Sequence, residues 1–189
     1  MKCRVTQDLS GLLARREFVR GCFVATICSM GVINGELEMK TMAIERNQST
    51  EEAQIRKRIG DWATAFRNKD LDGVVSFFAP ETVAFDLVPP LAYSSRDAYR
   101  KQWVKLFASY QGPIEYEICD LSITAKQTLA FSHSINRISG TLQNGQKTGI
   151  WLRMTACCER INGQWLIEHE HVSAPVDPAK GIAVLDLKP

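Results

Sequence analysis

The chain contains three histidines, His133, His169 and His171, and imidazole is the side chain that most readily exchanges protons near neutral pH. Three interpretations of them stay open: buried histidines satisfied by neighbouring hydrogen bonds, ligand-binding or acid/base groups, and a metal site formed with Asp86. His169 and His171 are two residues apart, a spacing at which one strand presents two side chains on the same face. The choice depends on which way these side chains face.

Two Asn-Gly pairs, at 144–145 and 162–163, predict how the strands that carry the histidines are paired. With each pair as a two-residue loop, His133 lies opposite Ala156, and Ala156 lies opposite His169. The third histidine shares this face because side chains alternate along a strand. The histidines are therefore predicted to face the concave side of the sheet, with the small Ala156 leaving a ligand-sized hollow between two imidazoles.

The same predicted strand pairing also assigns two arginines and a glutamate to faces of the sheet. Arg137 shares the histidine face, where it either binds an anionic group or reaches solvent at the sheet edge. Arg153 and Glu170 fall on the opposite, more polar face, where their diagonal placement predicts a cross-strand ion pair. That polar face is predicted to be solvated or to form a dimer contact.

Helices come first in the chain, and strands follow. A capping box at Ser49 and Glu52 predicts the start of a long amphipathic helix, and a short second helix follows residues 68–70. A strand over 82–88 and a third amphipathic helix after Ser95 come next. Four further strands are predicted, near residues 114–124, 128–142, 147–160 and 164–173. This order predicts an α+β fold, with three N-terminal helices covering a curved antiparallel sheet.

Composition excludes several classes of function. The chain has 189 residues, 45% of them apolar, which suits one substantial core. Its 23 Lys and Arg nearly balance 21 Asp and Glu, and no run of like charge beyond the N-terminus could follow a phosphate backbone, so nucleic acid is not a predicted partner. The six cysteines lack the spacing of a zinc site, and no Gly-rich phosphate loop is present. The sequence therefore predicts no metal and no cofactor.

Residues 1–43 differ in character from the domain predicted at 44–189. The segment 14–20, with its arginine pair, resembles a twin-arginine export signal, and the apolar run 21–33 after it is too short to span a bilayer. We therefore expect a signal peptide that directs the domain to the periplasm or outside the cell. The alternatives are an amphipathic or disordered extension, or translation that begins at a later methionine, with a cytoplasmic domain.

Three segments of the domain, 62–73, 78–91 and 163–175, resemble the SnoaL-like branch of the nuclear transport factor 2-like superfamily. The most specific piece is the His-Glu-His-Val-Ser-Ala-Pro sequence at 169–175, and the resemblance covers roughly 50–188. It implies a cone-shaped, cystatin-like roll that is commonly a homodimer and keeps a small-molecule pocket between the helices and the concave sheet. Members include isomerases, cyclases, dehydratases and epoxide hydrolases, so the fold does not name the reaction.

The resemblance also points to Asp86 as the general base, because ketosteroid-isomerase-like enzymes carry their base on the corresponding strand. Burial beside apolar neighbours would raise the pKa of this carboxyl group and make it a better proton acceptor. The isomerase tyrosine of the first helix is replaced by Phe66. His133 or His169 is therefore the expected hydrogen-bond donor to an oxyanion. Further ligand contacts are expected from His171 and from aromatic residues at the pocket mouth, namely Tyr93, Tyr99 and Trp103. The alternative for Asp86 is a strand-end residue that is hydrogen-bonded to the backbone.

Two functions follow from these residues. The first is a cofactor-independent isomerase, cyclase or hydrolase that transfers protons on a small apolar carbonyl compound or epoxide, with Asp86 as base. The alternative is a non-catalytic ligand-binding or dimeric interaction module that uses the same pocket without turnover.

Overall fold

The computed structural model describes residues 31–189, with few side chains before residue 50. The twin-arginine-like segment 14–20 and the apolar run up to residue 30 lie outside the described residues. The chain divides into two units, and every contact reported below lies within the second, Gln48–Pro189. No helix in the described part of the chain is long and apolar enough to cross a membrane.

Three helices precede most of the sheet: α1 (Gly31–Arg67), α2 (Leu71–Val75) and α3 (Arg96–Ser109). Asp70 and Ser95 cap α2 and α3, since each side chain accepts the backbone N–H three residues further on, at 2.9 and 3.2 Å. The predicted start of the first helix at Ser49 is wrong, because α1 continues through that residue from Gly31. The stretch 36–46 contains no glycine or proline that would end a helix.

The strands form one five-stranded sheet in the order β1-β5-β4-β3-β2. They are β1 (Phe78–Phe85), β2 (Tyr110–Lys126), β3 (Leu129–Leu142), β4 (Lys147–Ile161) and β5 (Gln164–Ser173). The predicted α+β class with N-terminal helices and a curved sheet is confirmed. The sheet is mixed, since β1 pairs with β5 in parallel while the other pairs are antiparallel. No hairpin joins β1 to β5, so the chain connection does not require them to be antiparallel. A short pair, β6 (Val176–Asp177) and β7 (Ile182–Ala183), follows.

An aromatic core joins the helices to the concave face of the sheet. Phe66 of α1 is fully buried. Its ring centroid lies 4.9 to 5.9 Å from those of four other aromatic residues, Trp62, Trp103, Phe107 and Tyr116. Each such pair contributes about 0.5–1.5 kcal/mol beyond the burial of apolar area. This cluster holds α1 and α3 against β2.

The hairpin between β3 and β4 is one residue longer than predicted. Leu142 donates its N–H to the carbonyl of Gln146 at 2.8 Å, so the loop consists of three residues, 143–145. His133 therefore lies opposite Thr155 rather than opposite the predicted alanine. Because side chains alternate along a strand, this shift of one residue moves the whole β3 pattern to the other face of the sheet.

The hairpin between β4 and β5 begins as predicted and then shifts. Asn162 and Gly163 form a two-residue loop with φ angles of +50° and +81°. The pairing follows the prediction until a β-bulge at Glu168, which leaves that residue without a partner on β4. Beyond the bulge, Glu170 lies opposite Ala156, where His169 was predicted. The bulge thus turns Glu170 toward the concave side.

Candidate functional site

The three histidines lie on the convex face of the sheet, so the prediction that they line the pocket is wrong. His133 and His171 are exposed. His169 makes a 2.8 Å hydrogen bond through Nδ1 to the carbonyl of Val83, and the Phe85 ring packs against it at 4.8 Å between centroids. Two features cause this, the three-residue loop between β3 and β4 and the bulge on β5. Each shifts the register by one residue, which turns the side chains that follow it to the opposite face of the sheet.

Two arginines also lie on the convex face of the sheet. Arg137 forms an ion pair of 2.8 Å with Glu117 at the rim of the sheet, so its predicted sharing of a face with the histidines is right, but that face is not the pocket. The predicted pair between Arg153 and Glu170 is absent, because Arg153 is exposed on the convex face while Glu170 is buried on the concave one. Among the described residues, no group of three His, Cys, Asp or Glu side chains is arranged to hold a metal ion.

A cavity of about 120 Å³ lies between the helices and the concave face of the sheet. A single water needs roughly 10–15 Å³ of such volume, so the cavity has room for an organic ligand. Its wall is mainly aromatic and aliphatic, with contributions from α1, α3, the end of β1 and all four long strands. The polar side chains in the wall are Asp86, Tyr99, Gln102, Tyr116, Asn136 and Glu170.

Two carboxyl groups and one tyrosine form the polar centre of this cavity. Glu170 is 1% exposed, and its Oε1 accepts a 2.8 Å hydrogen bond from the hydroxyl of Tyr99 on α3. Asp86 follows directly after β1, is half-buried, and accepts the N–H of Leu87 through Oδ1 at 2.6 Å. The Tyr99 hydroxyl is also close enough to Asp86 to lower the pKa of that carboxyl group, but its single proton is donated to Glu170. The strand-end contact expected in the alternative interpretation of Asp86 is therefore present.

Burial raises the pKa of both carboxyl groups. Burial raises the pKa of Glu170 to about 8, with the Tyr99 hydrogen bond opposing the rise and the Asp86 charge adding to it. Burial also raises the pKa of Asp86 from its ordinary value of 3.8, and the hydrogen bond from Leu87 and the nearby Tyr99 hydroxyl counteract part of this rise. A pKa of about 8 leaves Glu170 mostly neutral near pH 7. The cavity thus offers a buried carboxylic acid beside a second carboxyl group that is less deeply buried.

Four buried side-chain polar atoms in the described part of the chain have no hydrogen-bond partner, and all four belong to residues that line this cavity: Trp62 Nε1, Trp103 Nε1, Asn136 Oδ1 and Glu170 Oε2. Each such atom costs about 1–3 kcal/mol when it stays unpaired. Because Tyr99 occupies Oε1 of Glu170, Oε2 is left to carry the acid proton. The grouping shows that polar partners from outside the chain, water or a ligand, are needed at this cavity.

Asn136 and Tyr116 extend the polar wall. Asn136 Nδ2 donates to the Tyr116 hydroxyl at 2.7 Å and also lies 3.2 Å from Met154 Sδ. Burial raises the pKa of Tyr116 far above its ordinary value of 10, so its hydroxyl stays protonated. Both side chains are buried inside the cone.

Some of the residues that the sequence placed in the pocket line the cavity, and others do not. Asp86, Tyr99 and Trp103 line the cavity. Tyr93 does not: it is buried behind Tyr99, with its hydroxyl bonded to the carbonyl of Pro89 at 2.9 Å. Its backbone pairs with Ala84, so it closes the loop that carries Asp86.

Glu170 and Asn136 were missed as pocket residues because both depend on which face points inward. One sequence signal was available: Glu170 stands between His169 and His171, so it must face away from them. If Glu170 faces the cavity, His169 and His171 must face away from it, and the reverse is also true. The choice between these two arrangements depends on a loop length and a bulge that the periodicity of the sequence does not reveal.

The comparisons agree with this geometry at the level of the fold. A family model described as a SnoaL-like domain matches residues 55–177. A nuclear transport factor 2-like protein of unknown function from Pseudomonas putida KT2440 is 33% identical, with a TM-score of 0.69 over 75% of this chain and 98% of that one.

More distant solved structures share the fold. A ketosteroid isomerase-like protein from Erwinia carotovora atroseptica is 20% identical, with a TM-score of 0.57 over 65% of this chain and 95% of that one. A nuclear transport factor 2-like superfamily protein from Salmonella enterica is 18% identical, with a TM-score of 0.62 over 69% of this chain and 94% of that one. No curated protein matches the chain.

Proposed function

The chain belongs to the SnoaL-like family of the nuclear transport factor 2-like superfamily, and we propose that it catalyses proton transfer on a small, largely apolar carbonyl compound without a cofactor. The observation that carries the proposal is the pair of carboxyl groups, Asp86 and Glu170, that line one apolar cavity, with Glu170 fully buried and bonded to Tyr99 while Asp86 is half-buried. Pairs of titratable groups whose pKa values are pushed apart supply the acid and the base of a reaction.

In the proposed reaction, the Asp86 carboxylate takes a proton from the carbon next to the substrate carbonyl. The electron pair of the broken C–H bond forms the carbon–carbon double bond of an enolate, and the carbonyl π electrons move onto oxygen. Glu170 Oε2–H donates a hydrogen bond to that oxygen, while Tyr99 holds Oε1. If the substrate has a carbon–carbon double bond β,γ to the carbonyl, the enolate is conjugated with it, and return of the proton from Asp86 to the γ carbon gives the α,β-unsaturated isomer. If the substrate has a hydroxyl β to the carbonyl, the enolate instead expels it with a proton from Glu170, giving water.

Glu170 and Tyr99 take the role that the sequence assigned to His133 and His169. A buried acid suits this role, because the cavity wall is mostly apolar and a donor aimed at developing charge is stronger where water is excluded. No Lys, Arg or His side chain of the described residues lines this cavity. The reacting end of the substrate is therefore uncharged.

A second candidate is a ligand-binding module without turnover. The hydrogen bond from the Leu87 N–H to Asp86 Oδ1 favours it, because this bond alone would account for an aspartate at the end of a strand. A binding module needs the cavity but no ionised Asp86. Removal of the Asp86 charge therefore separates the two candidates.

The test is hydrogen–deuterium exchange at the carbon next to the carbonyl of 1-tetralone in D₂O, followed by proton NMR. The proposal expects exchange above the buffer rate and a loss of about 10²- to 10⁴-fold in Asp86→Asn, the usual contribution of a general base. Asp97→Asn, an exposed aspartate of α3, is the matched control and should exchange at the wild-type rate. Exchange that is no faster than buffer, or unchanged in Asp86→Asn, would leave the binding module as the better account.

A further inference from the structure

A second, smaller cavity of about 40 Å³ lies beside the first inside the cone. The two cavities have four wall residues in common: Trp62, Tyr116, Asn136 and Met154. Two of the four, Trp62 and Asn136, carry unpaired buried polar atoms. The shared wall makes the cavities neighbouring compartments of one site.

Met154 is the side chain in this wall that can move most easily. It is unbranched, and its sulfur lies 3.2 Å from Asn136 Nδ2 and 3.6 Å from the Tyr116 hydroxyl. Methionine adapts its shape readily, and a thioether is a weak hydrogen-bond acceptor. A ligand oxygen between the compartments would replace the sulfur as the partner of these groups. A molecule longer than one compartment could therefore occupy both.

Arg58 gives the smaller compartment a positive charge. Its guanidinium carbon lies 4.4 Å above the centroid of the Phe77 ring, and both residues line this cavity. Of the described residues that line either compartment, Arg58 is the one Lys, Arg or His. Asp61, one turn further along α1, pairs with Lys57 at 2.6 Å, and its charge also acts on Arg58. Since Asp61 is bonded to Lys57, the guanidinium has no hydrogen-bonded carboxylate partner among the described residues, and its N–H donors can bind a ligand.

The hydroxyl-bearing side chains of Ser132 and Ser134 line the same compartment as Arg58. The register of β3 puts both serines on its concave face, followed at the same spacing by Asn136. This row of polar side chains leads from the smaller compartment to the wall that the two compartments share. A carboxylate beside Arg58 would thus find hydroxyl donors as well as a cation.

The site has opposite electrostatic character at its two ends. The Arg58 charge partly offsets the rise in the pKa of Cys158 in the smaller compartment, a rise that burial causes and the Glu170 charge increases. The larger compartment holds the acidic pair Asp86 and Glu170. An anionic group is repelled from the carboxyl end and attracted to the Arg58 end.

We propose that the substrate is an elongated apolar molecule with its reacting carbonyl between Asp86 and Glu170 and a carboxylate at its far end, bound by Arg58. This inference rests on the proposed function for the position of the carbonyl. The carboxylate of the substrate is attracted to Arg58 at one end of the site. This attraction fixes the direction in which the substrate binds and places its carbonyl at the other end, beside Asp86 and Glu170.

The experiment uses three probes: 4-(4-oxochroman-2-yl)benzoic acid, its methyl ester, and the short ketone 1-tetralone. Affinities are measured by isothermal titration calorimetry on the full chain. Wild type should bind the acid more tightly than the ester, and Arg58→Gln should weaken binding of the acid by about 10- to 100-fold, the worth of charge-assisted hydrogen bonds. Binding of the ester and of 1-tetralone should not change. Arg56→Gln, which removes the same charge from an exposed position of α1, should leave all three affinities unaltered.

Arg58→Lys keeps the charge and should retain the preference for the acid, which guards against a folding defect in Arg58→Gln. Equal affinity of wild type for acid and ester, no binding of the acid, or an equal loss of both probes in Arg58→Gln would overturn the inference. The proposed function fails separately, if Asp86→Asn leaves the deuterium exchange of 1-tetralone unchanged. If wild type prefers the acid but does not accelerate deuterium exchange of 1-tetralone, the result would support the Arg58 subsite and contradict the proposed catalysis.

Discussion

The hydroxyl of Tyr99 lies 2.8 Å from Oε1 of Glu170, so a helix residue holds the carboxyl group of a strand residue that is 71 positions away in the chain. Both side chains are 1% exposed. The bond fixes one oxygen of Glu170 and leaves the other for the cavity. The following predictions depend on this contact and on the face of the sheet that carries it.

Folding stability should fall as the pH rises in the range where Glu170 titrates. Its pKa is raised from 4.5 to about 8, so between these values the folded chain binds more protons than the unfolded chain, and stability is lost toward higher pH. The slope is at most about 1.4 kcal/mol per pH unit. Urea unfolding from pH 5.5 to 8 measures it. Glu170→Gln should remove the slope, while Glu81→Gln, at an exposed position of β1, should retain it. A flat wild-type profile would contradict the neutral Glu170.

Tyr99→Phe should shift the pH dependence of catalysis upward. The Tyr99 hydrogen bond lowers the pKa of Glu170, so its removal should raise that pKa further and keep the acid protonated to higher pH. The alkaline limb of the rate of 1-tetralone exchange is the measurement. We also expect a loss of about 1–3 kcal/mol in unfolding free energy, because Glu170 Oε1 is left unpaired. The control is Tyr93→Phe, whose hydroxyl bonds to Pro89 outside the cavity, and an equal shift there would rule out the role of Tyr99.

His169→Ala should leave ligand binding unchanged. The imidazole lies on the convex face, bonded to the carbonyl of Val83, and does not line either cavity. Thermal shift with 1-tetralone measures the effect, since a ligand that binds the native state raises its stability. Leu152→Trp, which places a larger side chain on the cavity wall, should abolish the shift and is the positive control. A lost shift in His169→Ala would return the histidines to the site.

Phe131→Asp should convert a homodimer into a monomer. Dimerisation of the chain stays a prediction, and the convex face carries the apolar side chains that suit it: Val83 is 37% exposed, Phe85 41% and Phe131 48%. Val83 and Phe131 lie in one cross-strand row, with His169 and Cys157 between them, and exposed apolar side chains on one sheet face suit an interaction surface. Light scattering after size exclusion measures the mass. Val104→Asp, on the exposed side of α3, should leave the dimer intact, and a monomeric wild type would disprove the prediction.

Most of the elements were predictable because their signals are local. Asp70 and Ser95 start helices by capping backbone N–H groups within the same turn, and Asn162 with Gly163 forms the predicted hairpin because both adopt positive φ. The strands on either side of this hairpin, β4 and β5, fall within a few residues of their predicted bounds. The start of α1 was missed because a capping sequence does not interrupt a helix when the residues before it are also helix-forming.

The sequence by itself determined the order of helices and strands and the family, and it placed Asp86 in the strand predicted after the second helix, whereas the strand in fact ends one residue earlier, at Phe85. It also determined that Glu170 and its flanking histidines face opposite ways. The tertiary structure alone decided which of them faces inward, because one extra loop residue before β4 and one bulge at Glu168 each reverse a strand face. The meeting of Tyr99 with Glu170 was likewise decided by packing, since no local rule joins a helix residue to a strand residue so distant in the chain.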